Sequence, residues 1–282
     1  MPERPAKGRG AFWPVLRLAT QKFMRIDGPQ RAAALAYTGF FALFPVIILF
    51  VTAASFFVPR EKAAAIVLSY VQSVFPSSSG AQAHVFAAVS GVIQARGRAS
   101  AVALLILVWV ASQFFVTLIQ AANRAWGTSG NKWWKLPLKS LALLGIMTVT
   151  VLGGIGAPML ARLAAGTLHS RLILPDAYHL ALSVAPWGAV FLSVMFFYKL
   201  APHRRTSYSE IWPSALLAAL LLNAAQTLFV LYLRHFATLN AVYGAFGGLM
   251  ALLLWIYISG LIFVFCACLG AAQASFKEQR GA

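Results

Sequence analysis

The sequence predicts an all-α polytopic membrane protein: six transmembrane helices, an N-terminal amphipathic interfacial helix, and short extracytoplasmic helices between spans 1 and 2. Three observations carry that prediction. Six apolar stretches, each long enough to cross a bilayer, recur along the 282 residues with almost no charge inside them. Hydrophobic residues make up 60% of the chain and charged residues only 10%, where a soluble domain carries about a quarter of its residues charged. The mean hydropathy is +0.77. Hydrocarbon offers no water to backbone amides, so runs of this length are stable there only as helices, which satisfy their own N–H and C=O groups.

Residues 1–10 (MPERPAKGRG) are basic and rich in Pro and Gly, a composition that favours disorder. The start of the chain does not read as a cleavable signal peptide, because the first apolar run begins late, is long and lacks a small-residue cleavage site. Phe12, Leu16, Ala19 and Phe23 recur at helical spacing, with Trp13 and Val15 nearby and Arg17, Lys22 and Arg25 on the polar side. That pattern predicts a basic amphipathic helix lying on the membrane surface. Asp27, Pro29 and Gln30 resemble a helix start, with Asp27 as cap and Gln30 reaching back to it. The first span is expected over 33–57, with a kink at Pro45. The other apolar runs lie near 101–122, 138–161, 179–200, 213–233 and 246–272. Trp133 and Trp134 mark a membrane edge before the third; Trp212 marks another, beside Pro213 in the first turn of the fifth. The chain therefore divides into a basic tail and amphipathic helix (1–32), a six-helix membrane domain (33–272) and a C-terminal tail (273–282).

The formal charge is +17, from 23 Lys and Arg against 6 Asp and Glu. A nucleic-acid binder concentrates its cations on a polar domain; here they lie between apolar runs, so no nucleic acid is expected and the membrane explains them. With the N-terminus inside, the inner segments hold 16 basic residues and the outer segments 7. The asymmetry predicts that both termini are cytoplasmic. The longest connection, 58–100, then faces outside. It carries one amphipathic stretch with Ile66, Val67, Tyr70, Val71 and Val74, and a second with Val85, Phe86, Val89 and Ile93, about a Pro-Ser-Ser-Ser-Gly turn at 76–80. These helices cap the bundle from outside or form a lid over a cavity. No internal repeat is visible.

None of the six acidic residues sits deep in a span. Intramembrane carboxylates are the usual mark of ion coupling, so the pattern argues against an ion-coupled carrier. The polar residues within the spans are neutral: Gln113, Gln120 and Asn123 share one helical face, and Asn223 and Gln226 share another. Helix-to-helix hydrogen bonding or the lining of a polar cavity accounts for them. Asn240 and Tyr243 open the last span beside Gly244, Gly247 and Gly248, glycines that permit close helix approach or a bend; Gly153, Gly154 and Gly156 do the same in the third. Lys199, His203, Arg204 and Arg205 form a basic cluster at the inner end of the fourth span. They are candidate contacts for lipid phosphates, which makes anionic membrane lipid the expected partner. The histidines at 84, 169, 179, 203 and 235 lack metal-ligand spacing, and no catalytic constellation or phosphate-binding Gly-rich loop is present. Neither a metal, a cofactor nor an enzymatic activity is expected. Cys266 and Cys268 lie about 200° apart around one helix, cannot bridge each other, and read as small packing residues.

Three segments resemble the YihY/virulence factor BrkB family of bacterial inner-membrane proteins. They are DGPQRAAALAYTGFFALFPVIILF (27–50), the run ending QAANRAW (120–126), and the stretch from APHRRTSYSEIWPSALLAA (201–219) through YLRHFATLNAVYGAFGGLMALLLWIYISG (232–260). The resemblance implies six transmembrane helices and a plasma-membrane location, with suggested links to virulence and envelope lipid export. It also carries an older ribonuclease label; the dense His/Asp cluster that a metal-dependent ribonuclease needs is missing here. Where relatives tend to show Gly-Ala-Glu-x-Asn in the last helix, this chain has Cys266-Ala267-Cys268-Leu269-Gly270. A mechanism resting on that acidic residue is therefore in doubt at Cys268. Two functions stay open: transport or translocation of a lipid or amphiphile, and a non-transporting structural or regulatory role in the envelope.

Overall fold

The computed structural model describes residues 12–54, 101–128, 136–150, 175–204, 206–235 and 245–281. Among them are seven α-helices and no strands: α1 (Phe12–Arg25), α2 (Gly28–Ala54), α3 (Ala101–Ala125), α4 (Leu136–Thr150), α5 (Pro175–Leu200), α6 (Tyr208–His235) and α7 (Ala245–Gly281). Three contain stretches long and apolar enough to cross a membrane, Leu105–Ala125, Tyr208–Tyr232 and Met250–Gln279; Leu136–Thr150 and Trp187–Leu200 are shorter apolar helices. The two amphipathic stretches of 58–100, the basic tail at 1–10, Trp133, Trp134 and Gly153, Gly154 and Gly156 lie outside the described residues.

α7 is the element on which the others converge: α1, α2, α3 and α6 all pack against it, while α2 also packs on α3 and α5 on α6. Its sequence explains the role. Ala267, Ala271, Ala272 and Ala274 are buried, and Gly260 and Gly270 let neighbouring helices come close. A Cβ at Gly260 would stand 3.3 Å from the backbone of Ala32 in α2, and one at Gly270 would stand 2.8 Å from Ser214 Oγ in α6. In hydrocarbon no hydrophobic force drives helices together, so close packing of small residues does it. Larger groups fill the remaining seam. The Phe197 ring meets Phe263 edge-on at 4.9 Å, and the buried Tyr198 hydroxyl donates to Phe263 O at 2.7 Å. Cys266 and Cys268 are buried free thiols on the same helix. The outer wall is apolar instead: Leu105 and Trp109 on α3, Leu216, Leu220 and Leu228 on α6, and Met250, Leu254 and Ile258 on α7 are exposed.

Several boundaries depart from expectation for local reasons. α2 begins at Gly28, five residues before the expected 33, and continues through Pro45. Asp27 shapes this junction through its backbone. It takes φ 55° between α1 and α2, and its carbonyl accepts the Arg31 N–H at 3.1 Å; a left-handed residue here ends one helix and admits the next, and Asp tolerates that region better than most. α6 starts at Tyr208, placing Pro213 in the second turn. Glu210 Oε2 accepts the Ser207 N–H at 3.2 Å, the reciprocal half of a capping box that the Ser207-x-x-Glu210 spacing encodes. The expected tail at 273–282 continues α7 as helix to Gly281.

In α1, Ala19 and Phe23 turn towards α7, where Ala19 meets Leu269 and Ala272, and Phe23 meets Phe265 edge-on at 5.8 Å. Lys22, expected on the polar side, is half-buried in the same seam because its position adjoins that stripe. Trp13, Arg17, Met24 and Arg25 face outward.

Candidate functional site

Long-range contacts gather most of the polar chemistry of the described residues at one end of the bundle. Lys22, at the end of α1, donates to Ala271 O at 3.2 Å and to Ser275 Oγ at 3.0 Å near the end of α7. The end of α3 meets the α5–α6 connection through Asn123 and His203, and that connection meets the end of α7 through Arg204 and Glu278. Arg31, at the start of α2, is within electrostatic reach of Arg124 at the end of α3. The start of α2, the ends of α3, α5 and α7, and the start of α6 therefore share one side of the molecule.

Asn123 is the centre of this end. It is 3% exposed, and its Oδ1 accepts the His203 N–H at 2.9 Å and the Thr128 hydroxyl at 3.1 Å, with His203 Nδ1 at 3.2 Å. The amide thus fastens the connection between α5 and α6 to the last turn of α3. Lys199 Nζ donates to Thr206 O and lies 4.5 Å from the centre of the Tyr208 ring. Arg204 forms an ion pair with Glu278 and stands 5.9 Å from the Trp126 ring. Burial lowers the pKa of Lys22; Cys268 opposes that shift, while Arg204 and Arg25 add to it by repulsion. Burial likewise lowers Arg31, with Arg124 adding repulsion and Asp27 partly offsetting it. The end is crowded with positive charge.

The candidate residues separate on this frame. Asn123, Lys199, His203 and Arg204 come together, although the first was expected as a cavity or helix-contact residue and the others as lipid contacts. Gln113 is half-buried and Gln120 is exposed, so the face shared with Asn123 does not form one enclosed polar strip. Asn223 Nδ2 donates within its own helix to Ala219 O at 2.8 Å, and Gln226 is half-buried. α3 and α6 each pack on α7. Arg205, Asn240 and Tyr243 lie outside the described residues. The sequence reading missed Lys22, Trp126, Thr206 and Glu278; only non-local contacts bring them here. Among the described residues no group of three or more His, Cys, Asp or Glu side chains could hold a metal ion.

The family model described as Virulence factor BrkB matches residues 19–281. The chain is 26% identical over 245 residues to the Bacillus subtilis (strain 168) protein YfkH, whose name reads ribonuclease-like, covering 84% of this chain and 87% of that protein. It is 29% identical over 258 residues to the UPF0761 membrane protein Smlt0865 of Stenotrophomonas maltophilia (strain K279a), covering 89% of this chain and 58% of that one. A UPF0761 membrane protein of Xanthomonas campestris pv. campestris (strain B100) is 26% identical over 259 residues, with the same two coverages of 89% and 58%. The chain thus spans little more than half the length of the UPF0761 relatives it matches. No solved structure matches.

Proposed function

The chain belongs to the Virulence factor BrkB family of membrane proteins, and from that premise we propose that it is a six-span inner-membrane protein that translocates a lipid or other amphiphile, engaging phosphate-bearing headgroups at its cytoplasmic end. The observation that carries the reading is the meeting of Lys22, Arg31, Arg124, Lys199, His203 and Arg204 at one end of a bundle with an apolar outer wall. Cations gathered at one end of a membrane bundle attract anionic headgroups. The excess of basic residues in the inner segments supports placing this end, and both termini, in the cytoplasm. Trp13 and Met24 beside Arg17 and Arg25 on the outer side of α1 support an interfacial position for that helix. No catalytic step belongs to this reading.

The test is reconstitution into liposomes carrying labelled phospholipid. Faster movement of label between leaflets than in protein-free liposomes is expected; an unchanged rate for every lipid tested would sink translocation. A structural or regulatory role is the second reading. It is favoured by Asn123 and Asn223, polar groups that make hydrogen bonds within the protein.

A further inference from the structure

Among the described residues, three buried side-chain atoms at the charged end have no hydrogen-bond partner: Asn123 Nδ2, Trp126 Nε1 and Thr206 Oγ1. Asn123 and Thr206 are each 3% exposed. Buried polar groups are nearly always satisfied, and leaving one unsatisfied is destabilising, so three such donors in one region call for an acceptor. Their placement is connected. Asn123 and Trp126 are one turn apart at the end of α3. The α5–α6 connection, which carries Thr206, is held to Asn123 through His203 and to Trp126 through Arg204. The orientation of the Asn123 amide is fixed by its bonds, because Oδ1 accepts the His203 and Thr128 donors and Nδ2 is left over. Asn123 and Trp126 therefore lie beside this connection, and Thr206 lies within it.

The surroundings decide the kind of acceptor. Arg204 belongs to this connection, Lys199 lies in the last turn of α5 just before it, and Arg124 follows Asn123 in α3. Arg204 engages the Glu278 carboxylate, and the Glu210 carboxylate accepts the Ser207 N–H beside Thr206. Donors without acceptors inside a cationic rim match an oxyanion with several oxygens.

We propose that the α3–facing side of the α5–α6 connection is a phosphate site, in which Asn123 Nδ2, Trp126 Nε1 and Thr206 Oγ1 donate to phosphate oxygens and Arg204 supplies charge. The proposal deepens the lipid reading and rests on it only for the source of the phosphate, a phospholipid headgroup; free phosphate shares the chemistry. The donors are buried, and the Arg204–Glu278 pair ties the connection to α7. Entry of the ligand therefore competes with that pair for Arg204.

The experiment uses the full chain in neutral detergent, titrated with phosphatidylglycerol, with diacylglycerol and with inorganic phosphate, reading melting temperature and affinity. Trp126→Phe keeps the ring beside Arg204 and removes one N–H; Thr206→Val removes one hydroxyl at similar volume. Because its hydroxyl is unpaired, Thr206→Val melts no lower than wild type without ligand, whereas Trp126→Phe also gives up packing against the core, so its affinity is compared with its own ligand-free state. Each then loses about tenfold in affinity for the phosphate ligand, as expected for a hydrogen bond to a charged group. Glu278→Gln frees Arg204 and tightens binding severalfold. A response to phosphatidylglycerol alone assigns the site to lipid, and an equal response to inorganic phosphate assigns it to the free ion. Undiminished binding by both donor variants, or no response of wild type to any phosphate ligand, overturns the proposal. Binding without lipid movement in liposomes would sink translocation and leave the site standing.

Discussion

At Asn123 one amide oxygen joins segments 80 residues apart in sequence. Asn123→Ala removes that acceptor from the part-buried His203 N–H, so it should cost about 1 kcal/mol, read as a lower melting temperature in detergent. Asn123→Asp keeps the acceptor and should fall between the two. Lys22 gives a pH signature. Burial disfavours its ammonium form in the docked state, so the undocked state holds the proton more tightly. Docking of α1 should therefore strengthen as pH rises through the range just below the ordinary lysine value of 10.5, and level off above it. Both hydrogen bonds to α7 survive, since a neutral amine still has two donors. The check is melting temperature from about pH 8 to 10 in wild type and Lys22→Met; equal slopes would contradict the assignment. That Lys22 points inward was not legible, because a helical wheel shows which side a residue takes but not how wide a stripe the partner helix covers.

Helix existence was legible from apolar length alone, since the bilayer allows so little else. α3, α5, α6 and α7 fall on the expected runs, with ends displaced by local chemistry. The Ser207–Glu210 capping box was readable in the sequence and would have moved the start of α6 to Tyr208. What could not be read was which glycines matter. A Cβ at Gly260 would stand 3.3 Å from the Ala32 backbone, whereas one at Gly145 in α4 meets nothing within 4 Å. Gly260→Val should destabilise by about 1–3 kcal/mol through overpacking of α2 on α7. Gly145→Ala should be neutral or stabilise by up to about 1 kcal/mol through helix propensity. Thermal unfolding of the two variants separates them, and equal effects would mean that α2 and α7 do not meet as described.

Across the whole molecule, the helix ends that share the charged side require α2 to leave it, α3 to return, α5 to arrive, α6 to leave and α7 to return. Alternating directions are what a polytopic bundle needs, and they agree with the charge asymmetry read from the sequence. The sequence could locate the cations in order along the chain. It could not show that Asn123, His203, Arg204 and Glu278 meet, because each contact joins residues far apart in that order. The most direct measurement of the orientation labels single cysteines with a membrane-impermeant thiol reagent in a Cys266→Ala, Cys268→Ala background. Ser207→Cys, on the exposed charged end, should react only after spheroplasts are permeabilised, whereas Gly80→Cys should react in intact ones. Labelling of position 207 from outside, with position 80 protected, would contradict the account.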